Sequence, residues 1–189
     1  MSDRGHVFII DDDSSSAATL QDLLQSNGYT ADWAAGGAGA LEAIAEAEPN
    51  LVLLDAHLQD IDPFKLHEAF KESRQALDVP VIFMTTLDDA EARVKGLESG
   101  DDLIAKPFDP HEVLARVERQ VTVSKVRMAL RESEAKFRSV MESAIDAIIS
   151  GEAEGRIRAW TSAATALFGV PEDEVYGEPI EQIIPDRFR

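Results

Sequence analysis

Cysteine is absent from the 189 residues. That excludes disulfides, thiolate metal sites and a cysteine nucleophile, and it fits a reducing compartment. Long apolar runs are lacking as well. The N-terminal one, Val7 to Ile10, is too short for a signal peptide or a membrane span, so the chain reads as cytoplasmic with no membrane partner. Positive charge is scarce. Residues 1–120 carry 9 Lys and Arg against 24 Asp and Glu, and so hold −15 of the chain's net −18. A surface this acidic repels phosphate backbones, which argues against direct binding of nucleic acid. Hydrophobic residues still make up 44% of the chain, enough for a buried core.

The apolar residues are ordered in a repeating way. Short apolar runs stand at His6–Ile10, Thr30–Ala34, Leu51–Leu54, Val79–Met84 and Asp102–Ile104. Helical patterns lie between them, over about 14–27, 37–47, 63–77, 88–98 and from 110 onward. Leu20, Leu23 and Leu24 share one helical face, and Asn27-Gly28 is a stop. Leu51-Val52-Leu53-Leu54 is apolar at every position, as expected of a parallel strand covered on both faces. Five such strand–helix units predict a five-stranded, doubly wound parallel sheet. Ligand sites in such sheets lie at the carboxyl ends of the strands.

Those ends carry Asp11, Asp12 and Asp13 after the first run, Asp55 after the third, Thr85 after the fourth and Lys106-Pro107 after the fifth. Neighbouring first and third strands bring Asp11, Asp12 and Asp55 together. Clustered carboxylates repel one another unless a cation sits among them, and hard oxygen ligands suit Mg²⁺. An Asp carboxylate is a nucleophile for phosphoryl transfer, a reaction that needs positioning and neutralised oxygens more than covalent help. Thr85 offers a hydroxyl and Lys106 a point charge.

Residues 6–120 resemble the receiver domain of bacterial response regulators, a flavodoxin-like fold. The resemblance rests on Phe8-Ile9-Ile10-Asp11-Asp12-Asp13, Leu53-Leu54-Asp55, Phe83-Met84-Thr85-Thr86 and Lys106-Pro107-Phe108. It implies that Asp55 accepts the phosphoryl group, from a sensor histidine kinase or a phosphotransfer protein. It also implies that Asp12 binds Mg²⁺ directly, Asp11 largely through water, and the His57 backbone carbonyl completes the set. Thr85 and Lys106 would sense the phosphoryl group, and a cis Lys106–Pro107 bond is expected. Such a chain is no enzyme beyond its own phosphorylation and dephosphorylation. Asp13 reads as a helix-start residue. The His57 ring is expected to face solvent, and His6, His67 and His111 to lie at the surface or a strand start. Several positions depart from the family pattern: Gln59 replaces a frequent Pro, Thr86 a small residue and Leu103 an aromatic, and Ser99–Asp102 is one residue short.

From Asp109-Pro110 to about Glu142 there is no Gly or Pro, which predicts one long helix. Val123, Val126, Leu130, Ser133, Phe137 and Val140 follow a seven-residue repeat. Two readings stay open here: a helix packed on its own domains, or a coiled coil forming a homodimer. Beyond it, Asp146–Ser150 and Arg156–Trp160 read as two strands around a Gly151–Gly155 turn. Thr161 then caps a helix with Ala164, Leu167 and Phe168 on its apolar face. Residues 134–189 resemble the first half of a PAS sensory domain, through Glu134-Ala135-Lys136-Phe137-Arg138, Ala159-Trp160-Thr161, Leu167-Phe168-Gly169 and Gly177-Glu178-Pro179-Ile180. A PAS domain continues with further strands, so this α+β piece reads as one cut short. The expected organisation is receiver over 1–120, linker helix over 121–142 and partial PAS-like domain over 143–189.

Two other functions compete. Asp11 and Asp13 form a DxD pair like that of haloacid-dehalogenase-like phosphatases, but Ser14-Ser15-Ser16 starts a helix where those enzymes place a Gly-Thr turn. The departures at Gln59, Thr86 and Leu103 keep open a receiver that is never phosphorylated and serves only interaction or dimerisation.

Overall fold

A computed structural model describes residues 4–73, 78–86, 88, 89, 94, 102–143 and 146–183. The chain divides into two compact units, Met1–Met128 and Ala129–Arg189. In the first, strands β1 (His6–Ile10), β2 (Thr30–Ala34), β3 (Leu51–Asp55), β4 (Val81–Thr86) and β5 (Asp102–Lys106) form one sheet in the order β2-β1-β3-β4-β5. Every pairing is parallel. Helices α1 (Ser14–Ser26), α2 (Ala40–Ala47) and α3 (Pro63–Glu72) lie between strands, and α4 (Pro110–Ser143) follows β5.

The continuous apolar runs are explained by burial on both faces. Along a strand, successive side chains point to opposite sides. Ile9, Leu53, Met84 and Ile104 therefore pack with Leu20 and Leu24 of α1 and with Val113, Val117 and Val121 of α4. Phe8, Val52, Leu54 and Phe83 pack with Ile44 of α2 and with Leu66 and Phe70 of α3.

Local chemistry sets the element ends. The Asp13 side chain accepts the Ser15 N–H at 2.9 Å and starts α1, so Asp13 is a cap residue as read. Asp62 accepts the Phe64 N–H at 2.9 Å, with Pro63 at the first position of α3. Four readings need correction. β4 begins at Val81, because Pro80 before it has no N–H to give the ladder. α2 begins at Ala40, because Gly39 takes a left-handed φ of 76° that no helix continues through. α3 ends at Glu72, and residues 74–77 lie outside those described. His67 is not a surface residue: it is buried in α3, edge-on to Phe83. The expected helix over 88–98 and the short Ser99–Asp102 stretch fall mostly outside the described residues.

α4 is a single helix over Pro110–Ser143, as its lack of Gly and Pro implied. The Arg4 carbonyl accepts from Lys125 Nζ at 2.9 Å, and the Gly5 backbone runs so close that a Cβ there would meet Val121 Cγ1 at 2.7 Å. In the second unit, β6 (Ile149–Gly151) and β7 (Ile157–Trp160) form an antiparallel pair. Thr161 Oγ1 accepts from Ile148 N at 3.0 Å and caps α5 (Ser162–Phe168). α6 (Glu172–Val175) and a 3₁₀ turn (Ile180–Ile183) follow. Ile157, Trp160, Ala164 and Val175 form the small core. Of the expected apolar face of α5, only Ala164 is buried. Leu167 is exposed, and Phe168 leans on the Trp160 ring at 5.4 Å. So short a helix covers the sheet with one turn.

Leu53→Ala empties a fully buried site and is expected to cost the first unit about 2–5 kcal/mol, whereas Arg119→Ala on the exposed face of α4 should stay within about 0.5 kcal/mol. Urea denaturation distinguishes them, and equal losses would contradict this account of the core.

Candidate phosphoacceptor and metal site

The register of the sheet assembles the site. Ile10 pairs with Leu54, so Asp11 and Asp55 leave adjacent strands at the same level. Asp55 pairs with Met84, which places Thr85 one residue beyond on the neighbouring strand, and Thr86 pairs with Lys106. The structure thus brings together all the side chains expected there: Asp11, Asp12, Asp55, Thr85 and Lys106. The peptide bond between Lys106 and Pro107 is cis, as expected.

Lys106 Nζ donates to Asp11 Oδ2 at 2.9 Å and to Asp55 Oδ2 at 2.8 Å. Asp11 is fully buried and further held by Ser16 Oγ, which donates to Oδ2 at 2.8 Å, and by the Asp13 N–H, which donates to Oδ1 at 2.9 Å. Asp55 Oδ1 accepts the His57 N–H at 3.1 Å. Asp12 faces solvent. Thr85 is 0% exposed, and its hydroxyl has no hydrogen-bond partner. A buried hydroxyl is ordinarily satisfied, and this unpaired one lies one residue beyond the level of Asp55 on the adjacent strand.

Burial pushes the Asp55 carboxyl above its ordinary value of 3.8, with Lys106 pulling the other way. Burial also works against the Lys106 charge, but its hydrogen bonds to Asp55 and Asp11 outweigh that and hold its pKa above 10.5. One carboxylate oxygen from each of Asp11, Asp12 and Asp55 lies within 4.8 Å of the others. Three carboxylates against one ammonium leave the cleft negative, and the donors are hard oxygens. Both properties fit Mg²⁺.

Four contacts around the site were not read from the sequence. Ser16, read only as part of a helix start, donates to Asp11. Trp33 Nε1 donates to the Asp11 carbonyl at 2.8 Å. Asp60 accepts the Gly37 N–H at 3.2 Å and the Ala38 N–H at 2.8 Å, which hold its carboxyl below the ordinary range and tie the loop after β3 to the loop after β2. The His57 ring faces solvent as expected, 47% exposed, and also reaches Asp89, with Nε2 2.8 Å from Oδ2.

Residues 7–118 match the family described as response regulator receiver domain, and residues 135–188 the family described as PAS fold. Among curated proteins, the probable transcriptional regulator ycf27 of Porphyridium aerugineum is 39% identical over 112 residues, or 59% of this chain and 45% of that protein. The DNA-binding dual master transcriptional regulator RpaA of Synechocystis is 32% identical over 112 residues, 59% of this chain and 46% of that protein. The chain spans about half the length of these relatives. A putative response regulator from Chloroflexus aurantiacus superimposes with a TM-score of 0.59 at 31% identity, over 62% of this chain and 98% of that one. The receiver domain of a signal transduction histidine kinase from Syntrophus aciditrophicus gives 0.57 at 28%, over 62% and 90%.

The raised Asp55 pKa has a testable sign. A carboxyl that holds its proton more tightly when folded supports the fold below 3.8, and that support is lost as pH rises through the raised value. Without divalent metal, wild type should lose stability relative to Asp55→Asn as pH rises above 3.8, and Mg²⁺ should restore it. Thermal denaturation across pH measures this, and a wild type that gains on the variant with rising pH would refute burial as the dominant influence.

Proposed function

Because this chain belongs to the response regulator receiver domain family, we propose that it takes a phosphoryl group on Asp55 as the receiving step of a two-component relay. The observation that carries the reading is the buried, partnerless Thr85 hydroxyl, one residue beyond the level of Asp55 on the neighbouring strand, with Asp55 itself gripped by Lys106. The donor is a sensor histidine kinase or a phosphotransfer protein. Asp55 is the nucleophile. Lys106 stays charged and follows the incoming oxygens as a point charge, while Thr85 donates its unused hydroxyl to one of them. Asp12, Asp11, Asp55 and the His57 carbonyl would hold Mg²⁺, which when bound neutralises charge on the transferred group. The chain is not an enzyme beyond making and losing this phosphoryl group.

The curated relatives are named as transcriptional regulators, one of them DNA-binding. The −15 charge of residues 1–120 favours a different role here, in which this part of the molecule passes a signal without touching nucleic acid. Among the described residues no helix is long and apolar enough to cross a membrane. The output side is α4. Its seam residues Val123, Val126, Leu130, Phe137 and Val140 are 37–67% exposed and, with Ser133 between Leu130 and Phe137, follow intervals of three and four. That spacing suits pairing with the same helix of a second copy. Burying each such side chain gives about 1.5–3 kcal/mol before ordering costs, enough for modest dimerisation. Phosphorylation would then act by re-registering the helix pair.

With acetyl phosphate and Mg²⁺ the chain should gain one phosphoryl mass, Asp55→Asn should abolish the gain, and Asp12→Ala should weaken Mg²⁺ binding. Label that persists in Asp55→Asn places the acceptor elsewhere; no label on wild type favours a receiver used only for interaction. Glu at both Leu130 and Phe137 should turn a dimer into a monomer in light scattering while labelling continues. A wild type already monomeric at high micromolar concentration refutes the helix pairing.

A further inference from the structure

The loop after β3 carries the His57 carbonyl and has no Pro to stiffen it between Ala56 and Asp62. Its two ends are fixed. The His57 N–H donates to Asp55 Oδ1 at 3.1 Å, and Asp62 caps α3 by accepting the Phe64 N–H at 2.9 Å. Between these ends the Asp60 carboxylate reaches out to the loop after β2. Oδ1 accepts the Gly37 N–H at 3.2 Å and Oδ2 the Ala38 N–H at 2.8 Å. Each oxygen takes its own donor, so the carboxylate is held in direction as well as in place. The loop after β2 is shaped to receive it. Gly36 has a φ of 106°, and a Cβ there would stand 2.8 Å from Asp60 Oδ2. A Cβ on Gly37 would meet Ile61 Cγ2, on the residue next to Asp60, at 2.3 Å. The end of β2 also reaches Asp11. Trp33 Nε1 donates to the Asp11 carbonyl at 2.8 Å, and the Ala34 carbonyl accepts the Asp11 N–H at 3.2 Å. β2 and its loop supply none of the groups assigned to Mg²⁺ above, yet they brace both segments that do.

We propose that Asp60 is a positioning residue for Mg²⁺: clamped by the Gly37 and Ala38 amides, it keeps the segment that carries the His57 carbonyl ordered before the cation arrives. The inference rests on the reading above that this carbonyl is one of the ligands. A backbone carbonyl has no net charge to draw a cation from water, so it serves well only where the chain already holds it. Ordering free backbone costs free energy, and a loop ordered beforehand spares the cation that cost. Asp60 lies three residues beyond His57 and outside the cluster of Asp11, Asp12 and Asp55. It therefore acts through the loop and not as a ligand. The partners that support a metal ligand govern affinity alongside the ligands themselves.

Mg²⁺ binding to the full chain is measured by titration calorimetry, with thermal denaturation in EDTA and labelling by acetyl phosphate alongside. Asp60→Ala should weaken Mg²⁺ binding about tenfold, the lower end of what losing a supporting partner of a metal ligand does. Saturating Mg²⁺ should restore its phosphoryl yield to that of wild type. Asp60 is exposed, so its truncation spares the core and should leave the melting temperature in EDTA near that of wild type. Asp60→Asn keeps Oδ1 as an acceptor and should fall between the two in affinity. Gln59→Ala, exposed in the same loop, should bind Mg²⁺ as wild type does. An affinity unchanged in Asp60→Ala overturns the proposal, as does an equal loss in Gln59→Ala. A yield that stays low in Asp60→Ala at saturating Mg²⁺ also overturns it, because Asp60 would then act on the transfer and not on the cation. If wild type binds Mg²⁺ but takes no label, the phosphoacceptor reading fails and the affinities still decide the role of Asp60. If wild type is labelled and Asp60→Ala binds Mg²⁺ as tightly, the role of Asp60 alone fails; a wild type that binds no Mg²⁺ defeats both.

Discussion

The first unit is arranged around one ion pair network, the Lys106 ammonium between Asp11 and Asp55 at 2.9 and 2.8 Å. Two unit charges 4 Å apart repel by about 4 kcal/mol at an effective dielectric of about 20. Nearly buried carboxylates from adjacent strands are tolerable only because the fifth strand delivers a cation between them. That delivery fixes the level of β5 against β4, where Thr86 pairs with Lys106, and of β3 against β1, where Ile10 pairs with Leu54. The apolar packing on both faces holds these levels, since a shift of one residue would exchange the two faces of every strand.

The network is balanced but not neutral. Asp12 adds a third carboxylate at the mouth, and Thr85 adds a hydroxyl with nothing to bond. Each is an imperfection for an apolar-cored fold and an asset for a site that binds a hard cation and a tetrahedral anion. Local departures from packing rules are expected where a protein works. The long helix shows the same contrast along its length. Val113, Val117 and Val121 are buried under the sheet, while the seam from Val123 to Val140 stands open.

Strands and site residues were legible because both depend on short-range pattern. Full burial turned Leu51–Leu54 into an unbroken apolar run, and the doubly wound order put Asp11, Asp55, Thr85 and Lys106 at neighbouring strand ends. Asp13 was readable as a helix-start residue from its place before Ser14-Ser15-Ser16. What escaped was reach across loops. Nothing periodic links Asp89 to His57, Asp60 to Gly37 or Trp33 to Asp11; these contacts follow from how loops fold back over the strand ends. His67 was misread because a lone polar residue in a helix says little about whether an aromatic ring waits beneath it. Leu167 was misread because seven residues of helix bury one turn, not a whole face.

The central claim is that Lys106 and Thr85 are poised for the oxygens of a group on Asp55. The most direct test is a crystal structure of the chain with Mg²⁺ and beryllium trifluoride, a stable mimic of a phosphoryl group on a carboxylate. The account predicts the fluoride on Asp55, with Thr85 Oγ1 and Lys106 Nζ each within hydrogen-bond distance of a fluorine. A mimic bound at another carboxylate, or a Thr85 hydroxyl still without a partner beside an occupied Asp55, would contradict it.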